Sequence, residues 1–174
     1  ISTRAPDGSL NLAPYSFFSA FNYVPPIIGF ASIGAKDTLR NSEATGEFGW
    51  SLATHPLAEA MNQTSASVPP ETDEFALVGL TPAPSRVIGA PRVRESPVSF
   101  ECRCTQIVQL QRADGQAVPT WLVLGEVVAV YIDKALLKDG VYDTAEAAPI
   151  LRAGGPADYF TVGPQQRFRM QRPR

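Results

Sequence analysis

Hydrophobic positions along this chain fall in short blocks divided by proline and glycine, a pattern that favours many strands over long helices. Pro6-Asp7-Gly8 is a turn signal, so residues 1–5 and 10–18 are expected to pair as a hairpin. In the second of these, apolar residues are interleaved with Asn11, Tyr15 and Ser16, and Pro14 removes one backbone donor from any ladder. Pro25-Pro26 opens a strand over residues 27–33, a near-continuous apolar run suited to a barrel interior. Further strands are predicted over residues 48–53, 98–110 and 121–133, the last two joined across Asp114-Gly115. The final strand carries Leu122-Val123-Leu124 and Val127-Val128-Ala129-Val130, rich in β-branched side chains.

Three short helices interrupt the strands. Asp37 or a neighbour caps one over residues 38–45, ended by Gly46. Pro56 suits a first helical position, with Leu57, Ala60 and Met61 on one apolar face. Asp73-Glu74-Phe75 starts the third, which Gly79 ends, and residues 85–94 read as extended and proline-broken. No internal repeat is visible. Six or seven strands with three inserted helices predict a mainly β protein, a compact barrel with helical decorations.

Length and composition narrow the picture. A chain of 174 residues with 44% hydrophobic and 18% charged residues is enough for one domain with its own core. The net charge of −2 exerts no global pull toward nucleic acid or an anionic membrane. No apolar run approaches the roughly 18 residues of a membrane span, and no signal peptide is visible. Cys102 and Cys104 face one side of a strand, badly placed for a mutual disulfide, so buried free thiols in a reducing cytoplasm are expected. The chain begins without methionine, and Ile1 to Arg4 read as the end of a strand entering a turn, so a preceding segment is expected. The arginines at 167, 169, 172 and 174 lie in a proline-limited tail read as a solvated or partner-lying arm.

The familiar catalytic patterns are missing: no Gly-x-Gly-x-x-Gly after a strand, no Walker loop and no Gly-x-Ser-x-Gly elbow. The single histidine, His55, directly precedes Pro56, which favours a capping or surface role, and it cannot hold a metal alone. One constellation remains. The predicted helix N-terminus carries Lys36, Asp37 and Thr38, and unsatisfied N–H groups with a lysine suit an anion such as a phosphate. Ser16 and Ser32 could add hydroxyl donors from neighbouring strands. An ordinary capped helix with a solvated lysine fits the same spacing.

The chain resembles the flavin reductase-like, FMN-binding split-barrel family, in its flavoredoxin-like branch. The matching runs are Ser2-Thr3, Asp7-Gly8, Asn11-Leu12-Ala13-Pro14-Tyr15-Ser16-Phe17-Phe18, Lys36-Asp37-Thr38 and Thr45-Gly46-Glu47-Phe48. They continue with Met61-Asn62-Gln63-Thr64-Ser65, Glu74-Phe75, Gly79-Leu80-Thr81, Pro91-Arg92-Val93 and Glu95-Ser96-Pro97. Glu101-Cys102, Gly125-Glu126-Val127-Val128, and Arg152 with Gly154-Gly155 and Tyr159 complete the set, in order, over nearly all of residues 1–160.

The resemblance implies a six-stranded Greek-key split β-barrel over residues 1–163, a basic tail over 164–174, and a homodimer with FMN near the interface. It also implies a further helix and strand before Ile1. Carried over by position, Asn11, Leu12, Ala13, Pro14, Tyr15, Ser16 and Phe17 would lie along the isoalloxazine and ribityl chain. Ser32, Lys36, Asp37 and Thr38 would hold the phosphate end, and Met61 and Asn62 would approach the flavin from the second helix. Arg152 and Tyr159 are weaker carry-overs, since their Gly-Gly turn could equally be structural. Two departures stand out. Gly49-Trp50-Ser51 replaces the relatives' Val-Val-Asn, which reshapes the pocket, and Tyr131 stands where relatives often place a histidine associated with nicotinamide use.

The function implied is that of an FMN-dependent oxidoreductase, with NADH or NADPH as electron donor and a free flavin or small carrier as acceptor. A flavoredoxin-type electron-transfer protein without its own nicotinamide site is the nearest alternative. A flavin-free barrel that kept the fold is the third, because fold alone does not fix function.

Overall fold

The computed structural model describes residues 1–69 and 72–173. Its main sheet draws on β1 (Ser2–Arg4), β2 (Leu10–Leu12), β3 (Phe18–Asn22), β4 (Ile27–Ile33) and β5 (Glu47–Ser51). After the short pair β6 (Pro82–Ala83) and β7 (Arg92–Val93) come the two long strands β8 (Val98–Gln111) and β9 (Ala117–Ile132). Two small hairpins follow, β10 (Leu137–Lys138) with β11 (Val141–Tyr142), and β12 (Ile150–Arg152) with β13 (Tyr159–Thr161). The helices are α1 (Asp37–Thr45), α2 (Ala58–Gln63) and α3 (Glu74–Val78).

The main sheet has seven strands in the order β2-β1-β5-β8-β9-β4-β3, against the six implied by the resemblance. The strand expected over residues 10–18 stops at Leu12 as β2, and a separate, unpredicted strand, β3, starts at Phe18 and runs on to Asn22. β2 pairs with β1 at one edge of the sheet, while β3 pairs with β4 at the opposite edge. Between them residues 13–17 cross from edge to edge. Ala13 N–H still bonds the Ile1 carbonyl at one side, and the Phe17 carbonyl accepts from Ala31 at the other. Pro14, which has no N–H to give, sits inside the crossing where no ladder is needed. The crossing is the seam of the barrel.

Inside the sheet, Ile28, Phe30, Leu39, Phe48, Cys102 and Val123 form the buried core. Phe30 meets Phe48 edge to face at 5.2 Å. β4, the apolar run expected to face the interior, contributes Ile28 and Phe30 to that core and pairs with β9 throughout its length. Gly125 lets β9 pass over the Phe48 ring: a Cβ there would sit 2.5 Å from Phe48 Cε1. Both cysteines are free and lie in or against this core, and burial pushes the Cys102 thiol far up and that of Cys104 to about 11.

The helices keep their expected places, with corrections at their ends. Lys36, not Asp37, occupies the N-cap position of α1, and no side chain caps the helix. Asp37 is the first helical residue, and its carboxylate turns to the Arg40 guanidinium, a charged partner that outcompetes the neutral N–H groups. Gly46 closes α1 in the left-handed conformation, φ 70°. Asp73 does cap α3, accepting from the Phe75 and Ala76 N–H groups at 2.9 and 3.4 Å. Pro56 lies in a short 3₁₀ turn, His55–Leu57, that leads into α2.

The tail is not free at its start. Arg167 reaches back to Asp143, which also holds Lys138 at 2.9 Å. Arg174 lies outside the described residues.

Candidate functional site

A cavity of about 400 Å³ opens at the barrel seam, within the range of ordinary small-molecule sites. The seam residues Ala13, Pro14, Tyr15 and Ser16 form one wall. Trp50 and Phe18 form a second, and the β12–β13 hairpin closes over the cavity with Leu151, Arg152 and Tyr159. Met61 enters from α2.

The seam is held in place from behind by polar groups. The buried Asn11 amide donates to the Thr3 and Thr38 hydroxyls at 3.2 and 2.9 Å, tying β2 to the first turn of α1. The Asn41 side chain also donates to the Thr3 hydroxyl, at 3.0 Å. From the other side Glu74, at the start of α3, accepts the Leu12 N–H at 3.0 Å. Burial holds the Glu74 carboxyl above the usual carboxylate range. Leu12 itself packs with Phe75 and Val93. The wall is therefore rigid at its base, where β2 hands over to the seam.

Tyr15 links the cavity to the N-terminus of α1. Its ring packs on Phe30 at 4.5 Å, and its hydroxyl is buried. Burial pushes the phenol up, opposed by the nearby Thr38 and Ser32 hydroxyls, yet neither meets hydrogen-bond geometry with it. A buried phenol without a partner is uncommon and costly. At the same end α1 presents its first-turn N–H groups uncapped. Lys36 stands exposed beside them, with no ion pair among the described residues.

A family model described as a flavin reductase like domain matches residues 1–150. The chain belongs to this family. Among solved structures it is similar to nitrilotriacetate monooxygenase component B from Bacillus cereus, at 31% identity and a TM-score of 0.88, covering 97% of this chain and 84% of that one. A split-barrel-domain protein of Shewanella frigidimarina superposes with a TM-score of 0.83 at 26% identity, covering 98% and 83%. Flavoredoxin of Desulfovibrio vulgaris shares the fold, with a TM-score of 0.83 at 24% identity over 98% and 86% of the two chains. The sheet described above is thus the split barrel of the flavin reductase-like family.

In this flavin reductase-like chain the expected site residues divide into two groups. Leu12, Ala13, Pro14, Tyr15, Ser16 and Met61 all line the seam cavity. Asn11 and Thr38 lie behind it, joined to each other, while Lys36 and Asp37 stand at the adjoining helix terminus. Three expected residues stand apart from the cavity lining. The Ser32 hydroxyl is fully buried and donates to the Gly34 carbonyl at 3.0 Å. Phe17 projects outward, 66% exposed, and Asn62 is exposed one position past Met61.

Sequence reasoning passed over two features. Phe18 and Trp50 stack at 5.3 Å, and Trp50 also stacks on Phe100 at 4.7 Å, so the cavity has an aromatic wall. The indole gained at Trp50 was the signal for it. Glu74 grips the seam, which its place in a helix cap disguised. Arg152, weighed as a site residue or as part of a structural turn, ties its own turn together through four carbonyls and also lines the cavity.

Proposed function

We propose that this flavin reductase-like protein binds FMN in the seam cavity with its phosphate at the N-terminus of α1. It would act as an oxidoreductase between NADH or NADPH and a small-molecule acceptor. The observation that carries this reading is the uncapped α1 terminus beside Lys36, next to a cavity lined by the buried phenol of Tyr15, with neither Lys36 nor Tyr15 finding a side-chain partner among the described residues. A phosphate would satisfy the free N–H groups and the Lys36 ammonium together, and the ligand's polar chain could engage the Tyr15 hydroxyl.

When bound, FMN supplies hydride and single-electron chemistry. The chain's part is to hold and orient. Pro14 to Ser16 offer backbone groups along the wall, because the seam crossing frees them from any strand ladder, whereas Ala13 is already paired with Ile1 through both its N–H and its carbonyl. Asn11, Thr38 and Glu74 fix that wall from behind. Among the described residues the cavity is lined by no carboxylate and no histidine, and Arg152 is its one charged side chain. With hydroxyls but no carboxylate or histidine beside them to act as a base, this lining suits chemistry resident on a cofactor.

A flavoredoxin-type role without a nicotinamide site is the second reading. It is favoured by Tyr131, whose ring is covered by the Arg92 guanidinium at 4.1 Å where relatives often place a histidine. Proteins of similar structure include one from Shewanella frigidimarina described as a flavin reductase and a flavoredoxin, so both roles have precedents in name. We further propose a homodimer. The edge strand β3 is exposed along its whole length, and Phe21 within it together with Phe17, Tyr23 and Val24 at its two ends presents an apolar surface suited to a second copy.

Titration of FMN into the purified protein tests the first claim, with saturable quenching of flavin fluorescence as the expected result. Stopped-flow mixing of the loaded protein with NADH then separates the roles: rapid flavin bleaching supports the reductase, and its absence the electron carrier.

A further inference from the structure

The chemistry of the cavity wall opposite the seam is specific to a kind of ligand. Trp50 stacks on Phe18, with planes 21° apart, and on Phe100, with planes 23° apart. The aromatic wall is therefore fixed before any ligand arrives, and Phe18 remains 37% exposed at the cavity. Lining the same cavity from the β12–β13 hairpin is Arg152, whose guanidinium lies 5.2 Å from the Tyr159 ring. Its four terminal hydrogen bonds all go to neutral carbonyls, those of Ala153, Gly155, Pro156 and Asp158. Its Nε is left without a protein partner among the described residues, and no carboxylate in the cavity lining offsets its charge. The turn thus holds the cation rigid without neutralising it.

We propose that Phe18, Trp50 and Arg152 form a subsite for a planar aromatic ring bearing a carboxylate. The ring stacks against the aromatic wall, and the carboxylate lies near Arg152, where a charge-assisted contact in a cavity free of acids is strongest. The proposal names the ligand class of the cavity read above as the flavin site and rests on that reading. Neutral aromatic amides and saturated acids each satisfy one half of the subsite and are discriminated against.

The test starts from protein saturated with FMN, so that a failure to load is read separately and first. Benzoate, benzamide and cyclohexanecarboxylate are then titrated, with the perturbation of the flavin absorption band as the signal. Benzoate is expected to bind at least about tenfold more tightly than either analogue. In Phe18→Leu the preference for benzoate over cyclohexanecarboxylate should collapse. In Arg152→Gln the preference over benzamide should collapse, and Arg152→Lys, which keeps the charge, should restore part of it. Equal binding of the three ligands to the unsubstituted protein, or no saturable signal from benzoate, overturns the subsite whatever the variants do. Should FMN fail to load, the flavin reading falls. The same three ligands are then followed by tryptophan fluorescence in the unloaded protein, where the same ranking upholds the subsite and its absence overturns it.

Discussion

Lys36 and Glu74 are single side chains through which the site can be tested without disturbing the fold. Lys36 is exposed and unpaired among the described residues, so its removal leaves no buried group stranded. Lys36→Ala should weaken FMN binding about tenfold to a hundredfold, the worth of a charge-assisted bond, and the loss should shrink at high salt. A dissociation constant unchanged at low salt would remove the phosphate from α1. Thr38→Ala should act in the same direction but less, and it also cuts the Asn11 contact at 2.9 Å. Glu74 differs, because its carboxyl is held above its ordinary value by burial. A raised carboxyl opposes folding when ionised, so its contribution is best below the unfolded value of about 4.3 and is lost as pH rises through the folded value. Glu74→Gln keeps an acceptor for the Leu12 N–H and removes the charge. Its melting temperature at pH 7 should rise, whereas Glu74→Ala, which orphans that N–H, should fall by the equivalent of about 1–3 kcal/mol.

Among the secondary-structure elements, strand positions were the most readable part of the sequence and strand partnerships the least. β4 follows from its apolar run, and Gly46 and Gly79 end α1 and α3 where local chemistry requires. The break after Leu12 was not visible in the same way. Residues 13–17 keep strand-like composition, and only the positions of β2 and β3 at opposite edges make them a crossing. Close approach between elements is equally nonlocal. Gly125 reads as one more small residue in a β-branched run, yet Phe48 occupies the space its side chain would take. Because Phe48 is fully buried against Phe30, its ring has nowhere to go. Gly125→Ala should therefore destabilise the barrel by about 1–3 kcal/mol, measured by chemical denaturation. A neutral outcome would mean the β9 backbone can lift away from the core.

Across the molecule, the exposed apolar residues around β3 and the docked tail bear on assembly. With Tyr23 90% and Val24 78% exposed beside an open strand edge, light scattering should give a mass near twice that of the 18.7 kDa chain. A monomer at micromolar concentration would refute the homodimer. The tail is held by Asp143, whose carboxyl is kept below the usual carboxylate range first by Lys138 and then by its other contacts, Arg167 among them. A lowered carboxyl stabilises fully above its unfolded value, about pH 4, and the clasp loosens as pH falls below that. Asp143→Asn should expose the chain at Arg167 to trypsin at neutral pH, while the unsubstituted protein resists there.

Local sequence was enough to assign β1, β4, β5, β8 and β9, the glycine-closed ends of α1 and α3 and the polar residues that gather at the seam, because turn chemistry, C-capping and β-propensity act over a few neighbours. The Lys36-Asp37-Thr38 terminus belongs to this class, and it formed as an uncapped helix start. The cavity itself belongs to the tertiary structure. Its walls come from residues as far apart along the chain as Ile1 and Tyr159, brought together only when the sheet edges meet. The stacking of Trp50 on Phe18 and Phe100 and the meeting of Arg152 with them in one cavity arise from strand order and register, which no short stretch of sequence encodes.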